Sequence, residues 1–170
     1  METLFGENLT ANSSGKETEE AIEAICKSLQ RKGYIVVRQY PIGDKKIDIF
    51  VRGIKEYPDG LIISVKNQDV AGTAEQKLLY EIDVLHTDMG GKPSILLLVG
   101  NGFSQKVIDR IEMRRKTHYR RVVHMFRGID EFLSWVKRQP KCDDNLGSQL
   151  RFDPVKVEGF SQSALGLRAE

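Results

Sequence analysis

The chain has 170 residues, of which 40% are hydrophobic and 29% charged, and its formal net charge is +2. This composition predicts one soluble globular domain with a hydrophobic core and excludes a disordered chain. A net charge so close to zero does not identify a binding partner. The longest apolar run, residues 95–99, is too short to cross a membrane, and the first 20 residues lack the apolar segment of a signal peptide. We therefore expect an intracellular, cytoplasmic protein that does not contact a membrane.

The first predicted element is a helix over residues 14–32. Ser13 or Ser14 is expected to cap its start, and Gly33 to end it. Its apolar residues recur at helical spacing and are Ile22, Ile25, Cys26 and Leu29. Because Cys26 lies on that stripe, we expect it to be a buried thiol rather than half of a disulfide.

Three predicted strands follow, over residues 34–40, 46–52 and 60–66. The first is expected to end before Pro41, and a Pro-Asp-Gly turn at 58–60 separates the second from the third. The short connections favour antiparallel pairing of all three strands.

The remaining predicted elements alternate between helices and strands. Thr73 is expected to cap a helix that ends at Gly90, and the apolar run that ends at residue 99 is typical of a strand buried on both faces. A helix, a strand and a final helix are predicted over 104–116, 121–126 and 129–137. The order α-β-β-β-α-β-α-β-α predicts an α/β fold with a mixed central sheet flanked by helices.

Two charged residues lie in the second and third predicted strands. Asp48 stands inside one apolar strand and Lys66 follows the other. Since alternate residues of a strand share a face, Ser64 and Lys66 point the same way, and antiparallel pairing brings Asp48 towards them. The pair is either a structural salt bridge or part of a site in which carboxylates bind a hard cation such as Mg²⁺ while the ammonium assists a nucleophile.

The order of these features resembles the PD-(D/E)XK nuclease superfamily. The segments that carry the resemblance are SGKETEEAIEAI on the first helix, KIDIF and IISVKNQ on two strands, and GTAEQKLLYEI on the next helix. The resemblance covers about residues 14–100, with weaker support to residue 137. It implies a restriction-endonuclease-like αβββαβ core and a metal-dependent phosphodiesterase that acts on DNA.

The resemblance also divides the chain into three parts. Residues 14–139 are expected to form the nuclease domain, after a flexible N-terminus of residues 1–13. Residues 140–170 are expected to form a C-terminal extension that binds DNA or mediates oligomerisation.

Carried over residue by residue, the resemblance makes Asp48 the metal-binding acid and Lys66 the catalytic lysine. The acid of the first helix is Glu17, Glu19 or Glu20. We choose Glu19, because it falls on the inward stripe of the helix whereas Glu20 points away. The alternative is a surface glutamate that only favours the helix N-terminus.

The sequence departs from the family pattern at Ser64, where an Asp or Glu is expected. Some restriction enzymes of the superfamily have Ser-x-Lys and take a glutamate from the following helix. The candidates here are Glu75 and Glu81. Glu75 falls near the centre of the buried face and Glu81 about a quarter-turn off it, so Glu75 is predicted to be the relocated acid. The alternative for Glu75 is an interaction with the helix dipole.

Further ligands are expected next to Lys66. The carbonyl of Val65 is a candidate metal ligand, and Gln68 either orients a water or a phosphate or is a loop amide without a role. The expected ion is Mg²⁺, with Mn²⁺ also accepted, and no small-molecule cofactor is expected.

A basic cluster spans the end of the third predicted helix and the residues after it. Its members are Arg114, Arg115, Lys116, Arg120 and Arg121. We predict that these cations contact DNA phosphates. The alternative is a solvated helix end whose dipole favours positive charge.

The preferred interpretation is a Mg²⁺-dependent endonuclease that cuts both strands of duplex DNA at a specific sequence, of the restriction or homing type. Because cutting both strands requires two active sites, a homodimer or a higher homo-oligomer is expected. The alternatives are a Holliday-junction resolvase and a catalytically inactive DNA-binding module of the same fold.

Overall fold

Five strands and four helices make up the part of the chain that the structure describes. The structure is a computed structural model that describes residues 9–69 and 74–142, with side chains described for 15–69 and 75–142. Its elements are α1 (Leu9–Arg31), β1 (Ile35–Ile42), β2 (Lys45–Arg52), β3 (Leu61–Asn67), α2 (Ala74–Thr87), β4 (Ser94–Val99), α3 (Gln105–His118), β5 (Val122–Arg127) and α4 (Ile129–Arg138). None of the described helices is long and apolar enough to span a membrane.

The strands form one mixed sheet in the order β1-β2-β3-β4-β5. The first three strands pair antiparallel, because short turns join them. β4 and β5 add in parallel, since a helix crosses over between each pair of parallel strands. The predicted α/β fold with a mixed sheet and a restriction-endonuclease-like core is therefore confirmed.

Two hydrophobic cores cover the two faces of the sheet. The first core packs α1 and α4 against one face, through residues such as Ile25, Leu29 and Phe132. The second core packs α2 and α3 against the other face, through residues such as Leu78 and Ile111. β4 is buried on both sides, which explains its uninterrupted apolar sequence.

Some boundaries differ from the predicted ones. α1 begins at Leu9 instead of near Ser14, so its start lies upstream of the predicted serine cap. β1 includes Pro41, which an edge strand tolerates because it has a neighbouring strand on one side only. Cys26 is a buried free thiol, as predicted. The predicted cap at Thr73 and most of the predicted 140–170 extension lie outside the described residues.

Candidate active site

A cleft opens where β2 leaves β3. The two strands pair through Ile49↔Ile63, Phe50↔Ile62 and Val51↔Leu61, and no further pair follows towards the β1–β2 turn. β3 continues beyond this point because it stays paired with β4 as far as Asn67. The last residues of β3 therefore have a ladder on one side and a gap on the other.

Asp48 projects into this gap. The main-chain N–H of Val65, which has lost its partner on β2, donates to Asp48 Oδ2 at 2.7 Å. A buried N–H without a partner is costly, so the carboxylate stabilises the point at which the strands separate. The same bond fixes the position of the Asp48 side chain.

Glu81 of α2 supplies the second acid of the cleft. The hydroxyl of Ser64 donates to Glu81 Oε1 at 2.5 Å, and Lys66 Nζ lies 2.9 Å from Glu81 Oε2. Ser64 is only 3% exposed, and the side chain of Glu81 is 16% exposed. Because water has little access to the Glu81 carboxylate, its negative charge is stabilised by the Ser64 hydroxyl and the Lys66 ammonium together.

The prediction that Glu75 reaches the space in front of Ser64 is wrong. Glu75 forms an ion pair with Arg110 of α3 at 2.5 Å. The helical wheel describes angles only, and Glu75 precedes Glu81 by nearly two turns, about 9 Å along the helix axis. Leu78 of the buried stripe lies one turn after Glu75 and one turn before Glu81, so this spacing does not distinguish the two glutamates.

The glutamates of α1 have other partners. Glu19, which was predicted to surround the metal site together with Asp48 and Glu75, instead forms an ion pair with Arg38 of β1 at 2.6 Å. Glu17 faces Asn67, the last residue of β3, and Asp69 beyond it, and the hydrogen bond with the Asp69 carboxyl raises the pKa of Glu17. Of the α1 acids, Glu19 still acts on the cleft through its charge.

The charges around Asp48 oppose one another. Burial raises the pKa of the Asp48 carboxyl, whereas the Val65 N–H and the Lys66 ammonium lower it. The neighbouring carboxylates of Glu81 and Glu19 raise the pKa again, because like charges disfavour ionisation. Asp48 therefore holds a negative charge only at a cost, which a bound cation would relieve.

The cleft has a volume of about 330 Å³. The residues that matter for its chemistry line it together and are Lys46, Asp48, Ser64, Lys66, Tyr80 and Glu81. Its wall thus combines acids with cations and leaves Tyr80, 67% exposed, at its rim.

The donor set of the cleft fits Mg²⁺. Within the described residues no group of three or more His, Cys, Asp or Glu side chains is placed to hold a metal ion. Mg²⁺ needs fewer, since it is commonly held by one or two carboxylates and keeps several waters. Asp48 and Glu81 supply two carboxylates, and the Ser64 hydroxyl adds a neutral oxygen.

Gln68 lies just beyond the end of β3. Its main-chain N–H donates to Val99, and its carbonyl accepts from Gly102, so the backbone of Gln68 ties together the loops that follow β3 and β4. β3 ends at Asn67, so Gln68 lies beyond the strand and does not continue the face that Ser64 and Lys66 share.

The predicted basic cluster divides into two groups. Arg115 donates to the carbonyls of Val122 and Val123 and pairs with Glu112, and Arg121 donates to the carbonyl of His86. The guanidinium of Arg115 is largely buried and holds α3 to β5, so its predicted role as an exposed phosphate contact is wrong. Arg121 is exposed, and its contact with DNA stays a prediction.

The other three cations of the cluster are also exposed. Lys116 lies 3.2 Å from Glu112, whereas Arg114 and Arg120 stand in solvent. Arg114 and Arg120 are thus the members of the cluster best suited to reach an outside anion.

Comparison with known proteins agrees with this architecture. The mixed sheet, its flanking helices and a cleft holding Asp48, Lys66 and a helical glutamate define a nuclease of the restriction-endonuclease-like class. A family model described as a PD-(D/E)XK nuclease superfamily domain matches residues 10–140. The chain therefore belongs to the PD-(D/E)XK nuclease superfamily. A comparison with curated proteins gave no match.

Proposed function

We propose that the protein is a Mg²⁺-dependent endonuclease that hydrolyses phosphodiester bonds of double-stranded DNA, with Asp48, Glu81 and Lys66 as its catalytic groups. One observation carries the proposal: Glu81 binds both Ser64 and Lys66, so a carboxylate occupies the place that Ser64 left without one. An acid relocated to that place keeps the charge that the chemistry requires.

In this proposal Asp48 and Glu81 hold the ion, with the Val65 carbonyl and the Ser64 hydroxyl as neutral donors beside them. A bound Mg²⁺ lowers the pKa of a coordinated water and offsets the charge of the phosphodiester. Ser64 donates to Glu81 and so keeps one carboxylate oxygen turned into the cleft.

In this proposal the Lys66 ammonium binds Glu81 in the absence of substrate and interacts with the attacking water and the phosphate once DNA is bound. Without substrate its ammonium is held by Glu81. When DNA enters, the ammonium positions the attacking water and offsets the charge that develops on the phosphate. Gln68 supports this end of the site, and Glu19 acts from a distance through its charge on Asp48.

The decisive experiment uses supercoiled plasmid, linear duplex and a four-way junction as substrates, each with Mg²⁺, Mn²⁺ or Ca²⁺. We expect cleavage of duplex with Mg²⁺ and Mn²⁺, and none by Asp48→Ala or Lys66→Ala, while DNA binding in Ca²⁺ survives. Lys77→Ala, an exposed change on α2, is the matched control and should cleave normally.

The outcomes separate the alternatives. Cleavage confined to the four-way junction would identify a resolvase, and binding without cleavage of any substrate would identify a non-catalytic module. Cleavage of both plasmid strands in one binding event would support a homodimer or a higher homo-oligomer, because each site cuts one strand.

A further inference from the structure

The ladder between β1 and β2 is interrupted at one pair of residues. Arg38↔Ile49 and Tyr40↔Ile47 are paired on either side, in the same register, but Gln39 and Asp48 between them are not. Gln39 has a φ of 49°, and among the described residues it is the non-glycine residue with a positive φ. No residue is inserted, so the interruption comes from the conformation of Gln39.

The side chains of β1 exchange faces at this point. Before Gln39 they alternate regularly, since Val36 packs with the α1 and α4 core and Val37 with the α2 and α3 core. Regular alternation would place Tyr40 and Ile42 with Val36. Both pack instead with the α2 and α3 core.

The side chains of β2 exchange faces at the opposite residue. Ile49 and Val51 pack with the α1 and α4 core, yet Ile47 packs with the α2 and α3 core. The outer half of the hairpin is thus rotated relative to the inner half, about the pair Gln39 and Asp48.

This rotation builds one wall of the cleft. The outer half of the hairpin lies over the C-terminal end of α2, and Lys45 forms an ion pair with Asp88, the residue that follows α2. Lys46 and Ile47 line the cleft as a result. Asp48 itself is released from the β1 ladder by Gln39 and from the β3 ladder by the separation of the strands, which leaves its carboxylate to meet the Val65 N–H.

Glutamine is a poor choice for this backbone. A left-handed conformation brings the Cβ of an L-residue close to the following carbonyl, and glycine adopts it without that penalty. Strained residues of this kind cluster at functional sites, where the surrounding structure holds them in place.

We propose that Gln39 is a positioning residue, whose left-handed backbone turns the β1–β2 hairpin over α2 and aims the Asp48 carboxylate into the metal-binding cleft. The inference rests on the proposed function and adds to it a residue outside the catalytic set. The backbone of Gln39, and not its exposed side chain, is the acting part.

The test compares Gln39→Gly, Gln39→Ala and Gln39→Val with Ile35→Gly and Ile35→Ala. Ile35 is an exposed position of the same strand with regular pairing. If the conformation of Gln39 is left-handed, Gln39→Gly melts at a higher temperature than Gln39→Ala, because glycine relieves the strain. At Ile35 the order is reversed, because glycine weakens a regular strand.

The functional arm uses a Mg²⁺ titration of each folded variant and the kinetics of duplex cleavage. Gln39→Gly should keep the Mg²⁺ midpoint and kcat of the wild type. Gln39→Val, whose branched side chain opposes a left-handed backbone, should bind Mg²⁺ more weakly and lower kcat by about 100-fold with little change in KM, the size expected for misplaced reacting groups.

Two results would overturn the proposal. Equal loss in Gln39→Gly and Gln39→Val would mean that the side chain acts, and a wild-type Mg²⁺ midpoint and kcat in Gln39→Val would mean that the conformation is irrelevant to Asp48. If the wild-type protein cleaves no DNA, the proposed function fails, whereas the melting order and the Mg²⁺ titration still decide the role of Gln39.

Discussion

Asp48 shows how a single residue of this site opposes the stability of the fold. Burial holds its pKa above the ordinary value of 3.8, with Glu81 and Glu19 contributing in the same direction. The folded state therefore binds the Asp48 proton more tightly than the unfolded state does. As pH rises from 3.8 through the raised pKa, the contribution of Asp48 to the free energy of unfolding falls, and it stays low above that pKa.

The first prediction follows from the loss of stability that Asp48 causes when it ionises. Asn has the shape of Asp and accepts the Val65 N–H, but it has no charge to bury. We expect Asp48→Asn to raise the free energy of unfolding at pH 7 and to change it less at pH 4, as measured by urea denaturation. Asp44→Asn, at the exposed hairpin turn, is the control. An equal gain from both changes would point to general charge repulsion and not to the cleft.

The second prediction concerns the choice between two glutamates. Glu81→Gln keeps an oxygen for the Ser64 hydroxyl but removes the charge beside Lys66, so cleavage should fall by about 100-fold or more. Glu75→Gln only weakens a contact with Arg110 of α3 and should stay within a few-fold of the wild type. Single-turnover cleavage with Mg²⁺ measures both. The reverse order would return the relocated acid to Glu75.

For the residues of the candidate site, the sequence predicts which residue types are needed better than it predicts which position supplies each of them. Asp48, Lys66 and the need for an acid beyond Ser64 follow from strand alternation and charge. The identity of that acid does not follow from the same patterns. It depends on which turn of α2 lies opposite Ser64 in the folded chain. The separation of β2 from β3 determines which turn this is, and no local pattern encodes it.

At the scale of elements, α3 and β5 are joined by side chains that resemble a DNA-binding cluster in the sequence. Arg115 is largely buried, with 12% of its side chain exposed, and its guanidinium crosses from Glu112 to the carbonyls of Val122 and Val123. A charged donor to main-chain acceptors stabilises a fold more than an exposed ion pair does.

The third prediction tests whether the Arg115 hydrogen bonds between α3 and β5 stabilise the fold. Arg115→Ala leaves two carbonyls and a carboxylate with fewer donors, so it should lower the free energy of unfolding by about 2 kcal/mol. Arg114→Ala, its exposed neighbour on the same helix, should change it by less than about 0.5 kcal/mol. Chemical denaturation of both variants gives the comparison. Equal values would mean that Arg115 is also a solvated residue.

Elements are predicted well where one periodicity persists. α4 carries Phe132, Trp135 and Val136 on a single stripe, and β4 is apolar throughout, so both were predicted within about a residue of their bounds. β1 is harder, because its alternation changes phase at Gln39. A strand whose faces exchange halfway appears in the sequence as a shorter strand that ends before Pro41.

At the scale of the whole molecule, two groups of cations among the described residues are proposed to contact DNA. Lys46 and Lys66 line the cleft itself, whereas Arg114 and Arg120 stand near the end of α3. The fold binds Arg115 to main-chain carbonyls of β5 and pairs Lys45 with Asp88. The net charge of +2 does not reveal this division, which depends on which guanidinium and ammonium groups the fold leaves exposed.

The last prediction measures how far the bound duplex extends from the cleft. Each phosphate contact that is lost reduces the slope of log K against log salt by about 0.9. Lys46→Ala should therefore reduce the slope by about 0.9, and Arg114→Ala combined with Arg120→Ala by up to about 1.8, both without loss of stability. Binding of a 30-base-pair duplex in Ca²⁺ over a range of salt concentrations gives the slopes. Lys137→Ala, an exposed change on α4, should leave the slope unchanged, because α4 covers the sheet face opposite the cleft. A slope that responds to Lys46 but not to the arginine pair would confine the duplex to the cleft and leave those arginines as a solvated helix end.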